Sequence, residues 1–170
     1  NVRLSRASIP MIMGFTEEHG LPLDVAQHGY LFLVRTESLW RDFRAANRMH
    51  ASVGVEAEVL SPEEAVALAP GISAEGLVGA TYGPMDGIAD PSGLTHGYAT
   101  LARRAGAEIE LGVEVQGIRS SKGRVLGVDT TGGPVDAGVV VNAAGPWAGR
   151  LASTGGVDLP LEPIPRHVLV

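Results

Sequence analysis

Apolar residues return every three or four positions along parts of this chain and every second position along others, and the two rhythms predict most of its elements. Leu4, Ala7, Met11 and Phe15 fall on one helical face, with His19-Gly20 as the stop. The run "GYLFLV", Gly29 to Val34, reads as a buried strand, after which Leu39, Phe43 and Ala46 return to helical spacing. Ser61-Pro62-Glu63-Glu64 opens a further helix, because the Ser oxygen can accept a free backbone N–H, Pro needs no partner at the first position and Glu64 completes a capping box. Ala69-Pro70-Gly71 closes that helix.

"GLVGATYG", Gly76 to Gly83, predicts another strand, followed by the turn-rich "PMDGIADP". Asp90 then caps, and Pro91 opens, a helix whose inward face is Leu94, Tyr98 and Leu101. From Ala107 the period shortens to two. Ile109 and Leu111, Val113, Val115 and Ile118, Val125 and Val128, then Val135, Val139 and Val141 predict short strands, separated by Ser121-Lys122-Gly123 and Thr131-Gly132-Gly133-Pro134. The last of them runs into Asn142-Ala143-Ala144-Gly145-Pro146, and a helix from Pro146 to about Ser153 is expected to follow. The fold class is therefore α/β in the mixed α+β sense, with helices interleaved among antiparallel strands.

Composition narrows the function classes. With 13 basic against 19 acidic side chains and a net charge of −6, the surface does not attract nucleic acid or an anionic membrane. A small molecule or a protein is the expected partner. The chain has no Cys, which excludes disulfides, thiolate metal sites and cysteine nucleophiles within it. No apolar run is long enough to span a bilayer and no leader pattern opens the chain, so a cytoplasmic location is expected. The apolar end "RHVLV" and the absence of an initial Met predict an internal piece of a longer protein.

Chemistry concentrates in "VVVNAAGPW", Val139 to Trp147. Small residues at the end of a strand allow close approach of a ligand, Gly145 can take dihedrals that other residues avoid, and the first N–H groups of the following helix are free donors. Such a turn can face a phosphate or a nucleotide base. Strand-to-helix turns of this composition are also common as plain structure, and the GxGxxG dinucleotide fingerprint is absent from the chain.

"MDGIADPSGL", "GAEIELGVEVQGI", "GRVLGVDTTGGPVDAGVVVNAAGPWAGRLA" and "LPLEPIPRHVLV" stand in an order and spacing that resemble the D-amino-acid-oxidase-like family of FAD-dependent amine oxidoreductases, in its sarcosine oxidase beta-subunit and dimethylglycine dehydrogenase branch. The resemblance implies residues 1–106 as part of an antiparallel-sheet substrate domain. Residues 107–157 would be the β-meander and strand-turn-helix of a Rossmann-like FAD domain, and 158–170 a strand returning toward the substrate domain. It implies FAD as cofactor, with Val115 bordering the adenine, Ala143, Ala144 and Gly145 backing the nucleotide half and Trp147 packing behind them. The implied activity is oxidation of a small amino-acid-type amine such as sarcosine, dimethylglycine or glycine by hydride transfer to flavin N5; whether other subunits or copies of itself join it is left open by the sequence. The isolated chain is expected to be inactive and to bind FAD weakly or not at all.

The remaining candidates are few. Arg166 and His167 in "PIPRHVLV" could hold a substrate carboxylate, or Arg166 could simply pair with Glu162. His50 and His96 lie on or beside apolar helical stripes and read as partly buried helix residues, and no metal site is predicted. No catalytic acid or base stands out. The competing reading is a non-catalytic scaffold or assembly module without a cofactor of its own.

Overall fold

The computed structural model describes residues 2–165, so Arg166 and His167 lie outside the described residues. The chain divides into two compact units, Asn1–Glu108 and Ile109–Val170.

The first unit opens with α1 (Val2–Met13) and α2 (Phe15–His19). The single helix expected here is interrupted. Pro10 sits inside α1 and lacks an N–H, its carbonyl accepts from Gly14, and the chain restarts at Phe15. The break changes which face turns inward. Leu4 is 70 % exposed and Met11 is exposed too, whereas Val2, Ser5, Arg6 and Ile9 face a cleft. Of the predicted stripe only Phe15, beyond the break, is fully buried.

β1 (Val25–Ala26), β2 (Tyr30–Val34), α3 (Glu37–Ser52), β3 (Glu58–Leu60), α4 (Pro62–Leu68), β4 (Gly79–Gly83), β5 (Ile88–Ala89) and α5 (Pro91–Arg104) complete the unit. The sheet has the order β2-β4-β3, antiparallel throughout, and β1 pairs with β5 as a second small ladder. β3 and β5, at three and two residues, are too short to leave a periodic signal. The capping box at α4 forms as the sequence predicts: Glu64 N–H donates to Ser61 Oγ at 3.2 Å, and Ser61 N–H to Glu64 Oε2 at 2.7 Å. The Asp90 carboxylate likewise accepts from Ser92 and Gly93 at the start of α5. Along α5 the fully enclosed position is Gly97 rather than a large apolar residue. The Phe15 ring fills the notch, and a Cβ at Gly97 would stand 2.6 Å from it. Tyr98 closes edge-on against the same ring, while His96, expected to be partly buried, is exposed and hydrogen-bonds through Nδ1 to the Ser92 carbonyl.

The second unit is a meander of β6 (Val115–Ser121), β7 (Arg124–Thr130) and β8 (Gly133–Asp136), followed by a 3₁₀ turn at Gly145–Trp147 and α6 (Ala148–Thr154). Lys122 and Gly123 both have positive φ, the two-residue hairpin geometry that continues the twist of β6 into β7. Gly127 has φ +144°, and a Cβ there would overlap the Val135 carbonyl oxygen, so only glycine lets β8 approach at this point. Arg119 ties the three strands together by ion pairs to Asp129 and Asp136. α6 docks on β6 through small residues, with Gly155 against Ile118 and Thr154 Oγ1 accepting from Ile118 N–H at 3.0 Å.

The strands expected around Ile109–Val113 and Val139–Val141 do not form among the described residues. Val139 and Val141 alternate as a strand should, but no neighbouring strand among the described residues stands beside them, and they are 80 % and 84 % exposed. A ladder needs a partner as well as a pattern. Among the described residues no helix is long and apolar enough to cross a membrane.

Candidate functional site

Five residues singled out in the sequence belong to the second unit, and three of them, Val115, Ala144 and Trp147, line one open pocket of about 590 Å³. That volume lies within the range of small-ligand sites. Glu114, Gln116, Arg150, Leu151 and Thr154 share the lining. Ala143 and Gly145 adjoin it in the turn without lining it.

The turn is fixed by one side chain. Asn142 Oδ1 accepts from Ala144 N–H at 3.2 Å, and its Nδ2 donates to the Ala148 carbonyl at 2.9 Å, so the amide clamps the chain on both sides of Gly145. Gly145 itself takes the left-handed conformation, φ +52°, and no atom lies within 4 Å of where its Cβ would be. The space in front of it is open. Trp147 N–H donates back to the Ala144 carbonyl and Ala148 N–H to that of Gly145. The N–H groups of Ala144, Trp147 and Ala148 are thus already used within the turn. This narrows the expected set of free helix-start donors: a 3₁₀ turn at Gly145–Trp147 precedes α6 and uses these three N–H groups.

β6 reaches the pocket through a local irregularity. Its register with β7 shifts between Val115 and Gly117, where one strand carries an extra residue. Just before it, Glu114 N–H donates to Thr131 Oγ1 and Thr131 N–H to the Glu114 carbonyl, which pins the segment ahead of Val115. Val115 is 40 % and Trp147 67 % exposed. Two large apolar residues from different elements are therefore held at one open pocket, with the Arg150 side chain as its cation. Arg150 has no ion-pair partner among the described residues. Sequence reasoning missed Arg150 and Gln116: neither belongs to an apolar rhythm, and only the packing of α6 on β6 brings them to the pocket.

Among the described residues no three His, Asp or Glu side chains come together to hold a metal ion. Nor do the described residues assemble a catalytic acid–base pair at the pocket.

The chain is similar to several oxidoreductases and, at 29% identity over 89% of this chain and 17% of that protein, to the mitochondrial pyruvate dehydrogenase phosphatase regulatory subunit of Mus musculus. It is 35% identical over 150 residues to the mitochondrial sarcosine dehydrogenase of Homo sapiens, covering 85% of this chain and 16% of that protein. It is 35% identical over 162 residues to the glycine oxidase of Geobacillus kaustophilus (strain HTA426), covering 94% and 42% respectively. Among solved structures, L-proline dehydrogenase from P. horikoshii superposes with a TM-score of 0.78 at 30% identity, over 91% of this chain and 41% of that one. The chain thus spans less than half the length of each of these relatives. The family described as "DAO: FAD dependent oxidoreductase" matches residues 1–170, and the chain, bearing the mixed α/β fold and antiparallel sheets of its structural neighbours, belongs to that family of FAD-dependent oxidoreductases.

Proposed function

We propose that the chain forms part of an FAD-dependent enzyme that oxidises a small amino-acid-type amine, and that the pocket of the second unit is one wall of its cofactor site. The observation that carries this reading is the open left-handed turn at Gly145, set beside the exposed apolar surfaces of Val115 and Trp147. A flat heteroaromatic ring needs apolar faces to stack on and a backbone with no side chain in its way. The residues present meet both needs for the nucleotide half of FAD. Val115, Ala143, Ala144, Gly145 and Trp147 would hold it, and Arg150, which lines the pocket together with Glu114, would supply the cation for a phosphate oxygen.

FAD held there would supply a two-electron acceptor for hydride from the carbon next to the substrate nitrogen. The residues of this chain would position the nucleotide half of the cofactor. The apolar stretch Val139-Val140-Val141, which pairs with no strand among the described residues, supplies an edge on which the remainder of a Rossmann-like FAD domain would build.

The isolated chain is proposed to be inactive as an oxidase and to bind FAD weakly, because it contributes one wall alone. The test is reconstitution of the longer protein that carries this chain, read by flavin absorbance and by quenching of Trp147 emission. Bound flavin that quenches Trp147, with the quenching lost in Trp147→Phe, is the expected result. A protein that folds but takes up no flavin would defeat the reading and favour a scaffold without a cofactor.

A further inference from the structure

Asp86 and Gly87 form the only Asp–Gly bond in the chain, and the fold sets it between β4 and β5. The neighbouring strand demands glycine there: a Cβ on residue 87 would overlap the Ala26 carbonyl oxygen of β1. Antiparallel pairing also decides where the Gly87 N–H points. Successive N–H groups in such a ladder alternate in direction, and Asp90 N–H donates to the Asp24 carbonyl at 2.8 Å, with Ala26 opposite Ile88. Residue 87 therefore turns its N–H away from β1, and it has no acceptor among the described residues. On its other side the Asp86 carbonyl accepts from Gly29 N–H at 2.9 Å.

A nucleophile and an electrophile thus stand on adjacent residues. Asp86 is exposed, and its carboxylate rests over Gly83, where no side chain holds it. The bond from Gly29 draws electron density from the Asp86–Gly87 peptide and makes the Gly87 N–H more acidic. We propose that Asp86–Gly87 is a site of self-modification, at which the folded chain converts an aspartyl linkage to an isoaspartyl one through a cyclic imide. The Gly87 nitrogen attacks Asp86 Cγ, the N–C bond forms, the C–OH bond breaks, and the hydroxyl leaves with the N–H proton as water. Water then adds at the α-carbonyl carbon of the ring and cleaves its bond to nitrogen. Gly87 is left joined through Cγ beside a free α-carboxylate, with no electrons exchanged. Asp90 is barred from the same path, since Pro91 has no N–H and the Asp90 carboxylate caps α5. The remaining aspartates precede residues whose side chains crowd the attacking nitrogen. The product adds a methylene to a chain tied to Gly29 on one side and Asp24 on the other, so β5 loses its register with β1. The flavin reading is not involved, because no residue of the second unit takes part.

The test ages the folded full-length protein at neutral pH in heavy-oxygen water and maps it by mass spectrometry with electron-transfer fragmentation, which separates the two linkages. Heavy oxygen and the isoaspartyl fragment pattern are expected at Asp86, with the other aspartates of the chain unlabelled. The modified fraction should also lose amide hydrogen-exchange protection over residues 24–29 and 86–90, while the unmodified fraction keeps it. Asp86→Glu keeps the charge but must close a larger ring, and should abolish the label in that segment with Asp90 still in place. An Asp86 that stays unlabelled, label that appears only in urea-unfolded protein, or label that persists in Asp86→Glu would each overturn the proposal.

Discussion

Replacing Gly145 separates a structural turn from a turn that faces a ligand. At φ +52° an Ala loses about 1–2 kcal/mol relative to glycine through contact of its Cβ with the backbone. Part of that, about 0.4–1 kcal/mol, is recovered because Ala restricts the unfolded chain. Nothing lies within 4 Å of the Cβ position, so no packing cost is added. Gly145→Ala should therefore lower stability by about 1 kcal/mol in urea unfolding, and Gly145→Asn by less, since Asn tolerates the left-handed region. Cofactor affinity should follow a different order. If the open space in front of Gly145 is where the nucleotide lies, the larger Asn side chain should cost the more, about tenfold or 1.4 kcal/mol. Stability is read by denaturant titration, and affinity by flavin fluorescence on reconstituting the full protein. A Gly145→Asn variant that keeps both native stability and native FAD affinity would refute the placement of the cofactor at this turn.

Three other outcomes follow from the packing. Gly97→Ala gains about 1 kcal/mol of helix propensity but drives a Cβ into the fully buried Phe15 ring, at about 1–3 kcal/mol, so a net loss near 1 kcal/mol is expected, shrinking when Phe15→Leu is added. A stabilised Gly97→Ala chain would contradict the notch. Gly127→Ala drives a Cβ into the Val135 carbonyl at φ +144°, and should cost more than about 3 kcal/mol and collapse the meander signals in an amide NMR spectrum. Glu63 has its carboxyl held below the usual range by its own backbone N–H and then by Ser61. A depressed value in the folded state means that its contribution to stability is present above the ordinary Glu pKa and is lost as the pH falls through the folded one. Ser61→Ala should raise the Glu63 midpoint in a carboxyl-carbon NMR titration, and an unmoved midpoint would rule out the hydroxyl as a cause.

The sequence disclosed elements where local chemistry is decisive. Ser61-Pro62-Glu63-Glu64 forms its capping box and Asp90 caps α5, because caps depend on neighbours three residues away. Faces were harder. The stripe through Leu4 and Met11 points outward because Pro10 and Gly14 break the rotation that would have carried it to Phe15. The packing centre of α5 is a glycine, which no hydrophobic count can find. The meander was legible from turns such as Lys122-Gly123, but Val139 and Val141 kept the pattern of a strand without a neighbour among the described residues to complete it. At the candidate site, Val115, Ala144 and Trp147 do meet at one pocket, whereas Arg150 entered only through the docking of α6.

The amide of Asn142 has a consequence for binding. Because it bonds to Ala144 on one side of the turn and to Ala148 on the other, the backbone around Gly145 is set by the chain itself and does not wait for a ligand to shape it. A surface already in its bound form gives up little conformational freedom on association. If the cofactor proposed above lies at this turn, the entropy lost on its binding falls on the cofactor and on whatever closes over it, and this wall acts as a fixed template.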